Sequence, residues 1–158
     1  MSASTVLLQK KAVRKGTGVQ YAALPYRLNG EEVEVLLITS RRTRRWIIPK
    51  GWPMQGCRPD VCAAREAMEE AGVSGPMSKK PAGHFRYMKE LRNGAELPCR
   101  VEVFAMKVTQ EENKWREKDD RVRRWVSAAK AAKLVGEPQL KLLIRRFASQ
   151  LKASSGKA

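Results

Sequence analysis

The segment Arg65-Glu66-Ala67-Met68-Glu69-Glu70-Ala71-Gly72-Val73 constrains this chain more than any other. It reads as the end of one amphipathic helix. At about 100° per residue, Glu69 falls roughly 60° to one side of Glu66 and Glu70 roughly 40° to the other. Val61, Ala64, Met68 and Ala71 fall opposite, so the expected helix buries that apolar stripe and turns its carboxylates away from it. Both ends are punctuated. Pro59 suits the first helical position, where a missing N–H costs little. Asp60 suits the positive end of the helix dipole, and Gly72 suits the left-handed residue that closes a helix. Three carboxylates this close resist joint ionisation unless a cation lies among them. An all-oxygen ligand set of this kind suits a hard divalent metal, Mg²⁺ or Mn²⁺. The alternative is an ordinary solvated acidic face. Against it stands the balance of 32 Lys and Arg to 16 Asp and Glu, which makes a lysine-free acidic face out of character. The rigid turn Pro49-Lys50-Gly51-Trp52-Pro53 just ahead also offers a glycine carbonyl that can approach a metal closely.

These residues carry a resemblance to the Nudix hydrolase family. Its box runs Gly, five residues, Glu, seven residues, then Arg-Glu-U-x-Glu-Glu-x-Gly-U, where U is bulky and aliphatic. Gly51 opens it here, and Arg65 to Val73 close it at the family spacing. Cys57 stands where the box has its first Glu, with Gln55 two positions earlier, and Ala67 where a larger aliphatic residue is usual. Arg45-Trp46-Ile47-Ile48-Pro49-Lys50-Gly51-Trp52-Pro53 and Arg123-Arg124-Trp125-Val126 look like the branch that includes diphosphoinositol polyphosphate and diadenosine polyphosphate phosphohydrolases. The resemblance covers roughly Val19 to Phe147. It implies an α/β fold, a Nudix-type α/β/α sandwich with a mixed β-sheet between helices. It implies a Mg²⁺-dependent (or Mn²⁺-dependent) hydrolase of a phosphoanhydride linkage in a phosphate-rich nucleoside or inositol compound. By the same resemblance, Glu66, Glu69, Glu70 and the Gly51 carbonyl hold metal, one glutamate takes the proton of the attacking water, and Arg65 holds the glutamates through a salt bridge.

The net charge of +16 concentrates polyanions near the surface. Arg41, Arg42, Arg44 and Arg45 follow an expected strand and lead into the turn that carries Lys50 and Gly51. Guanidinium groups bind phosphate oxygens in two-pronged fashion, so these four arginines and Lys50 are the candidate substrate contacts. Arg121, Arg123 and Arg124 form a second basic cluster. Nucleic acid is a less favoured partner, because few aromatics lie beside these clusters to stack on bases. Two alternative functions follow from that possibility: a non-catalytic Nudix-fold module that binds nucleic acid or senses a ligand, and removal of phosphates from RNA 5′ ends. Glu117, Asp119 and Asp120 form an acidic patch whose default reading is a solvated loop. Nudix enzymes often recruit a further carboxylate from outside the box, and this loop is the candidate source. The lone histidine, His84, lies in a strand pattern and is expected in packing or substrate contact.

Length and composition fit one domain. The expected division is a basic N-terminal arm over 1–17, a single domain over 18–152 and a disordered tail over 153–158. No apolar run is long enough to span a membrane. Cys57, Cys62 and Cys99 lack metal-ligand spacing and are read as structural, which makes a reducing cytoplasm the simplest setting. Strands are expected at Val19 to Leu28, Glu34 to Thr39, Trp46 to Ile48, Gly83 to Lys89, Arg100 to Thr109 and Arg123 to Val126, with tight turns at Asn29-Gly30 and Asn93-Gly94. Helices are expected at Arg58 to Ala71, at Ala128 to Val135 behind a Ser127 cap, and from Pro138 to about Leu151.

Overall fold

The computed structural model describes residues 13–14 and 16–155. The expectations for the rest of the arm and for residues 156–158 lie outside them. Ten strands, β1 (Val13–Arg14), β2 (Thr17–Asn29), β3 (Glu32–Thr39), β4 (Trp46–Ile47), β5 (Lys50–Gly51), β6 (Val73–Ser74), β7 (Gly83–Glu90), β8 (Glu96–Lys107), β9 (Gln110–Glu111) and β10 (Arg123–Ser127), alternate with three helices. These are α1 (Pro59–Glu66), which runs on as a π-helical turn over Ala67–Ala71, α2 (Ala128–Leu134) and α3 (Pro138–Ser155). The main sheet has the order β10-β3-β2-β8-β7, with β1 and β5 added to β2 and β4 to β3. It is mixed. β2 and β8 run parallel, while β10·β3, β2·β3 and β7·β8 are antiparallel. The hairpin turn is displaced by one residue from expectation: Asn29 is still paired, to Glu32, and Gly30 takes φ 64°.

The sheet is buried on both faces because its strands alternate between two apolar sets. Ala23, Leu36, Ile38, Phe104 and Met106 pack against α1 and its π turn through Ala63, Ala67 and Ala71. Ala22, Leu24, Val35, Leu37, Phe85, Val101 and Val103 pack against α2 and α3 through Ala131, Ala132, Leu140 and Ile144. This is the expected sandwich. Each fully buried Leu, Ile or Phe contributes about 1.5–3 kcal/mol relative to exposure.

Two expectations need correction. The stripe that α1 buries is Ala63–Ala67–Ala71, and Val61 is exposed. Three alanines at four-residue spacing let the helix approach the sheet closely, so the glutamates flank the buried stripe instead of facing away from it. Glu70 is only 8% exposed. The unexpected π turn also shifts Glu69 and Glu70 off ideal α-helical angles. The last helix runs past Leu151 to Ser155, into the expected tail. The cap residues stand as anticipated: Pro59 at the start of α1, Gly72 at φ 66°, and Ser127 Oγ accepting from the Lys130 N–H at 3.1 Å.

Candidate active site

The site forms where β5 meets α1. Gly51 pairs with Tyr21 and Lys50 with Ala22, which pins the glycine turn along β2. A Cβ on Gly51 would lie 2.3 Å from Glu66 Cδ and 2.4 Å from its Oε1, so only glycine lets that carboxyl rest against the turn. The Lys50 N–H donates to Glu70 Oε1 at 3.2 Å. Turn and helix are therefore joined through two glutamates. At the far end of the helix, Gly72 carries the left-handed close, and a Cβ there would lie 2.6 Å from Trp115 Cδ2. Trp115 Nε1 donates to the Glu70 carbonyl at 3.2 Å, and the Glu117 N–H donates to the Glu69 carbonyl at 3.1 Å. The acidic loop is thus laced to the π turn.

The charges are in tension. Glu66 and Glu70 lie within hydrogen-bonding reach of each other, and burial together with Glu70 and Glu69 pushes the Glu66 carboxyl up to about 8. Burial also raises Glu70, opposed by Arg121 and Lys50. Arg121 carries most of this compensation. Its side chain is 6% exposed, and its Nη2 lies 3.4 Å from Glu70 Oε2 and 3.1 Å from Glu117 Oε1. Its Nη1 donates to the Thr39 carbonyl at 3.1 Å, fixing the guanidinium at the end of β3. Burial pushes the Lys50 ammonium below the usual lysine range, with Glu70 and Glu137 pulling it back.

The expected site residues separate into those brought together and those left apart. Gly51, Glu66, Glu70 and Glu117 converge. Glu69 turns outward to Arg116, 3.5 Å away. Among the described residues no three His, Cys, Asp or Glu side chains already stand as a metal cage. Arg65 does not hold the glutamates. It is exposed, its Nη1 points at Met54 Sδ at 3.5 Å, and no ion pair within 4.0 Å links it to them. Arg121 performs the bridging that the sequence reading gave to Arg65. Arg41 reaches Glu117 at 3.4 Å and Asp120 at 4.0 Å, which brings the start of the basic run beside the site. Arg42 instead pairs with Glu90 at 3.5 Å, and Arg44 (φ 54°) and Arg45 shape an exposed turn. Asp119 is exposed. His84 is exposed on β7 and is not a packing residue. Cys62 and Cys99 are buried free thiols, and burial pushes Cys62 up to about 11, consistent with a structural role.

The donor set fits a hard divalent cation. Glu66 rests against the glycine turn with Glu70 beside it, and burial together with that neighbouring charge raises the Glu66 carboxyl, an effect a cation there would offset.

The family model described as NUDIX domain matches residues 16–147. Nudix hydrolase 13, mitochondrial, of Arabidopsis thaliana is 33% identical over 129 residues, spanning 70% of this chain and 63% of that relative. Diphosphoinositol polyphosphate phosphohydrolase 3-alpha of Mus musculus is 31% identical over 116 residues, spanning 72% of this chain and 66% of that relative. The chain covers 52% of Nudix hydrolase 12, mitochondrial, and 54% of Nudix hydrolase 4, both of Arabidopsis thaliana. Among solved structures, C. elegans Ap4A hydrolase matches at a TM-score of 0.62 and 19% identity, over 84% of this chain and 97% of that one. No described helix is long and apolar enough to cross a membrane. With its family model matched over most of its length, on a fold of the same kind, the chain belongs to the Nudix family.

Proposed function

We propose that this chain is a divalent-metal-dependent hydrolase that cleaves a phosphoanhydride linkage in a phosphate-rich compound. The supporting observation is the Glu66 carboxyl lying against the Gly51 turn while Glu70 is tied to the neighbouring Lys50 N–H, with burial and the adjacent charge raising Glu66. Glu66, Glu70 and the Gly51 carbonyl would hold Mg²⁺ or Mn²⁺, with Glu69 and Glu117 at the rim. When bound, the metal offsets phosphate charge and lowers the pKa of a coordinated water. The protein's own contributions are positional. Arg121 fixes Glu70 and Glu117, and the Lys50 N–H fixes Glu70. Glu66 or Glu69 takes the proton of the attacking water. Arg41 stands beside Glu117 where the far phosphates of a long substrate would run, and guanidinium groups stabilise charge growing on a leaving phosphate.

The test is a phosphate-release screen with Mg²⁺. It spans dinucleoside polyphosphates, diphosphoinositols, nucleotide sugars, nucleoside triphosphates and triphosphorylated RNA. Turnover of an anhydride that disappears in Glu70→Gln is the expected result. Absence of metal-dependent release from every compound, alongside binding of RNA, would favour a binding module. Turnover of triphosphorylated RNA alone would place the activity at RNA ends.

A further inference from the structure

Of the second basic cluster, Arg121, Arg123 and Arg124, the site described above uses only Arg121. Strand alternation parts the other two. Arg123 pairs with Ile38, which packs on the α1 face of the sheet, and Arg124 with Leu37, which packs on the α2 and α3 face. Arg123 is half-buried and reaches the end of the π turn.

What it meets there is a set of bare carbonyls. The last four carbonyls of a helix lack intrahelical partners. The Gly72 N–H closes on the Met68 carbonyl at 3.0 Å, and the next four carbonyls are those of Glu69, Glu70, Ala71 and Gly72. All four accept from one segment of chain, 112–123. The Glu117 N–H donates to Glu69 at 3.1 Å and Trp115 Nε1 to Glu70 at 3.2 Å. Arg123 Nη1 donates to Ala71 at 2.9 Å, and the Glu112 N–H to Gly72 at 2.7 Å. The two side-chain donors are stacked on each other, with the Arg123 guanidinium carbon 4.0 Å from the centre of the Trp115 ring. Arg123 Nη2 also donates to the Glu112 carbonyl at 2.8 Å, so one fork grips both the helix end and the strap that covers it. Its positive charge lies at the negative end of the helix dipole.

The cap falls on the site residues themselves. Glu69 and Glu70 own the first two of the four carbonyls. The same strap continues to Glu117 and Arg121, and Arg121 pairs with the Glu70 carboxylate. Glu70 is thus held through its backbone and its side chain by one segment. The π turn is a rare conformation, and the directions of Glu69 and Glu70 depend on its being kept. We propose that Arg123 and Trp115 are positioning residues: through the carbonyls of Ala71 and Glu70 they hold the π turn that sets Glu70 beside Glu66 for cation binding. The proposal rests on the reading of Glu66 and Glu70 as cation ligands and names what keeps them in place.

The experiment reads cation affinity on the full chain without substrate. Electron paramagnetic resonance of free Mn²⁺ gives Kd at a temperature where each variant is folded, and metal-free melting gives stability separately. Glu70→Gln marks the Mn²⁺ bound at the glutamates. Trp115→Phe removes the indole N–H and leaves a ring under the guanidinium. Arg123→Lys keeps the charge without the fork, and Arg123→Met loses both. Kd should rise about ten- to a hundredfold in Trp115→Phe and Arg123→Met, the cost of removing partners that orient metal ligands, with partial recovery in Arg123→Lys. Trp115→Phe supplies the comparison if Arg123→Met does not fold. Lower melting midpoints with wild-type Kd in the folded variants would make the strap a stabilising cap alone and overturn the proposal, while Glu66 and Glu70 stand as ligands. A wild type that binds no Mn²⁺, or binds it equally after Glu70→Gln, would remove the ligand reading and the proposal with it.

Discussion

Replacing Arg121 with Met keeps most of the buried stem and removes the charge that compensates Glu70 and Glu117. All three side chains are largely buried, at 6%, 10% and 15% exposure. Breaking a buried ion pair by deleting one partner costs about 3–5 kcal/mol, because the other charge is left uncompensated. Glu70 can escape part of that cost by taking a proton, since burial already raises it and Arg121 is the main force pulling it down. The lower end of the range, about 3 kcal/mol, is therefore expected. For a domain of this length each kcal/mol moves the melting midpoint by about 2–4 °C, so Arg121→Met should melt roughly 6–12 °C lower. The loss should depend on pH in a fixed direction. Without Arg121 the Glu70 carboxyl sits further above its unfolded value. The folded state then holds extra protons, and stability falls as pH rises through that window. The deficit should be small near pH 5 and largest near pH 8, both order-of-magnitude settings for carboxyls raised by burial. Melting curves of both proteins, metal-free, over that range give the answer. A midpoint unchanged near neutral pH, or a deficit constant with pH, would mean that Arg121 is packing rather than counter-charge.

Three further outcomes are expected. Glu70→Gln should fold normally and lose turnover on the order of a hundredfold or more, the scale of removing a strong electrostatic contributor; near-normal kcat would displace the site from this helix. Gly51→Ala should abolish turnover while circular dichroism stays that of a folded protein, because the added methyl occupies the space 2.3 Å from Glu66 Cδ; full activity would show that Glu66 need not approach the turn. Wild type without metal should lose stability as pH rises from the usual carboxyl range through about 8, the value to which Glu66 is raised, and millimolar Mg²⁺ should flatten that decline by binding only the folded state; parallel melting curves with and without Mg²⁺ would exclude a cation from the crevice.

Much of the fold was legible because it rests on short-range signals. Proline at the start of α1, glycine at φ 66° after its end and Ser127 before α2 are local capping chemistry, and each stands where the sequence puts it. The glycine turn and its pairing with the glutamate helix were also legible, through fixed spacing. The helix face was not. An angular projection places apolar residues by size, and Val61 and Met68 outweigh alanine on any such scale. The structure instead chooses alanines, because a close helix-to-sheet contact rewards small side chains and leaves Val61 in solvent. The two-residue strands β1, β6 and β9 escaped notice because they carry no periodicity to detect.

Arg121 and Lys50 show a different kind of limit. A charge pair on one helix can be read from spacing, which is why Arg65 was the natural partner for the glutamates. Arg121 reaches them only because its neighbour Val122 is clipped to the end of β3. Thr39 donates its backbone N–H to the Val122 carbonyl at 3.0 Å, and Thr39 Oγ1 accepts from the Val122 N–H at 2.9 Å. That clip depends on β10 joining the sheet beside β3, a pairing between segments far apart in the chain. Lys50 is expected from the sequence as a substrate contact alongside the arginine run. Strand alternation sends its side chain over the Tyr87 ring, while its N–H donates to Glu70 and its ammonium still offsets the Glu70 carboxylate. The same alternation puts the carboxyls on one face of the sheet and the ammonium over an aromatic ring on the other.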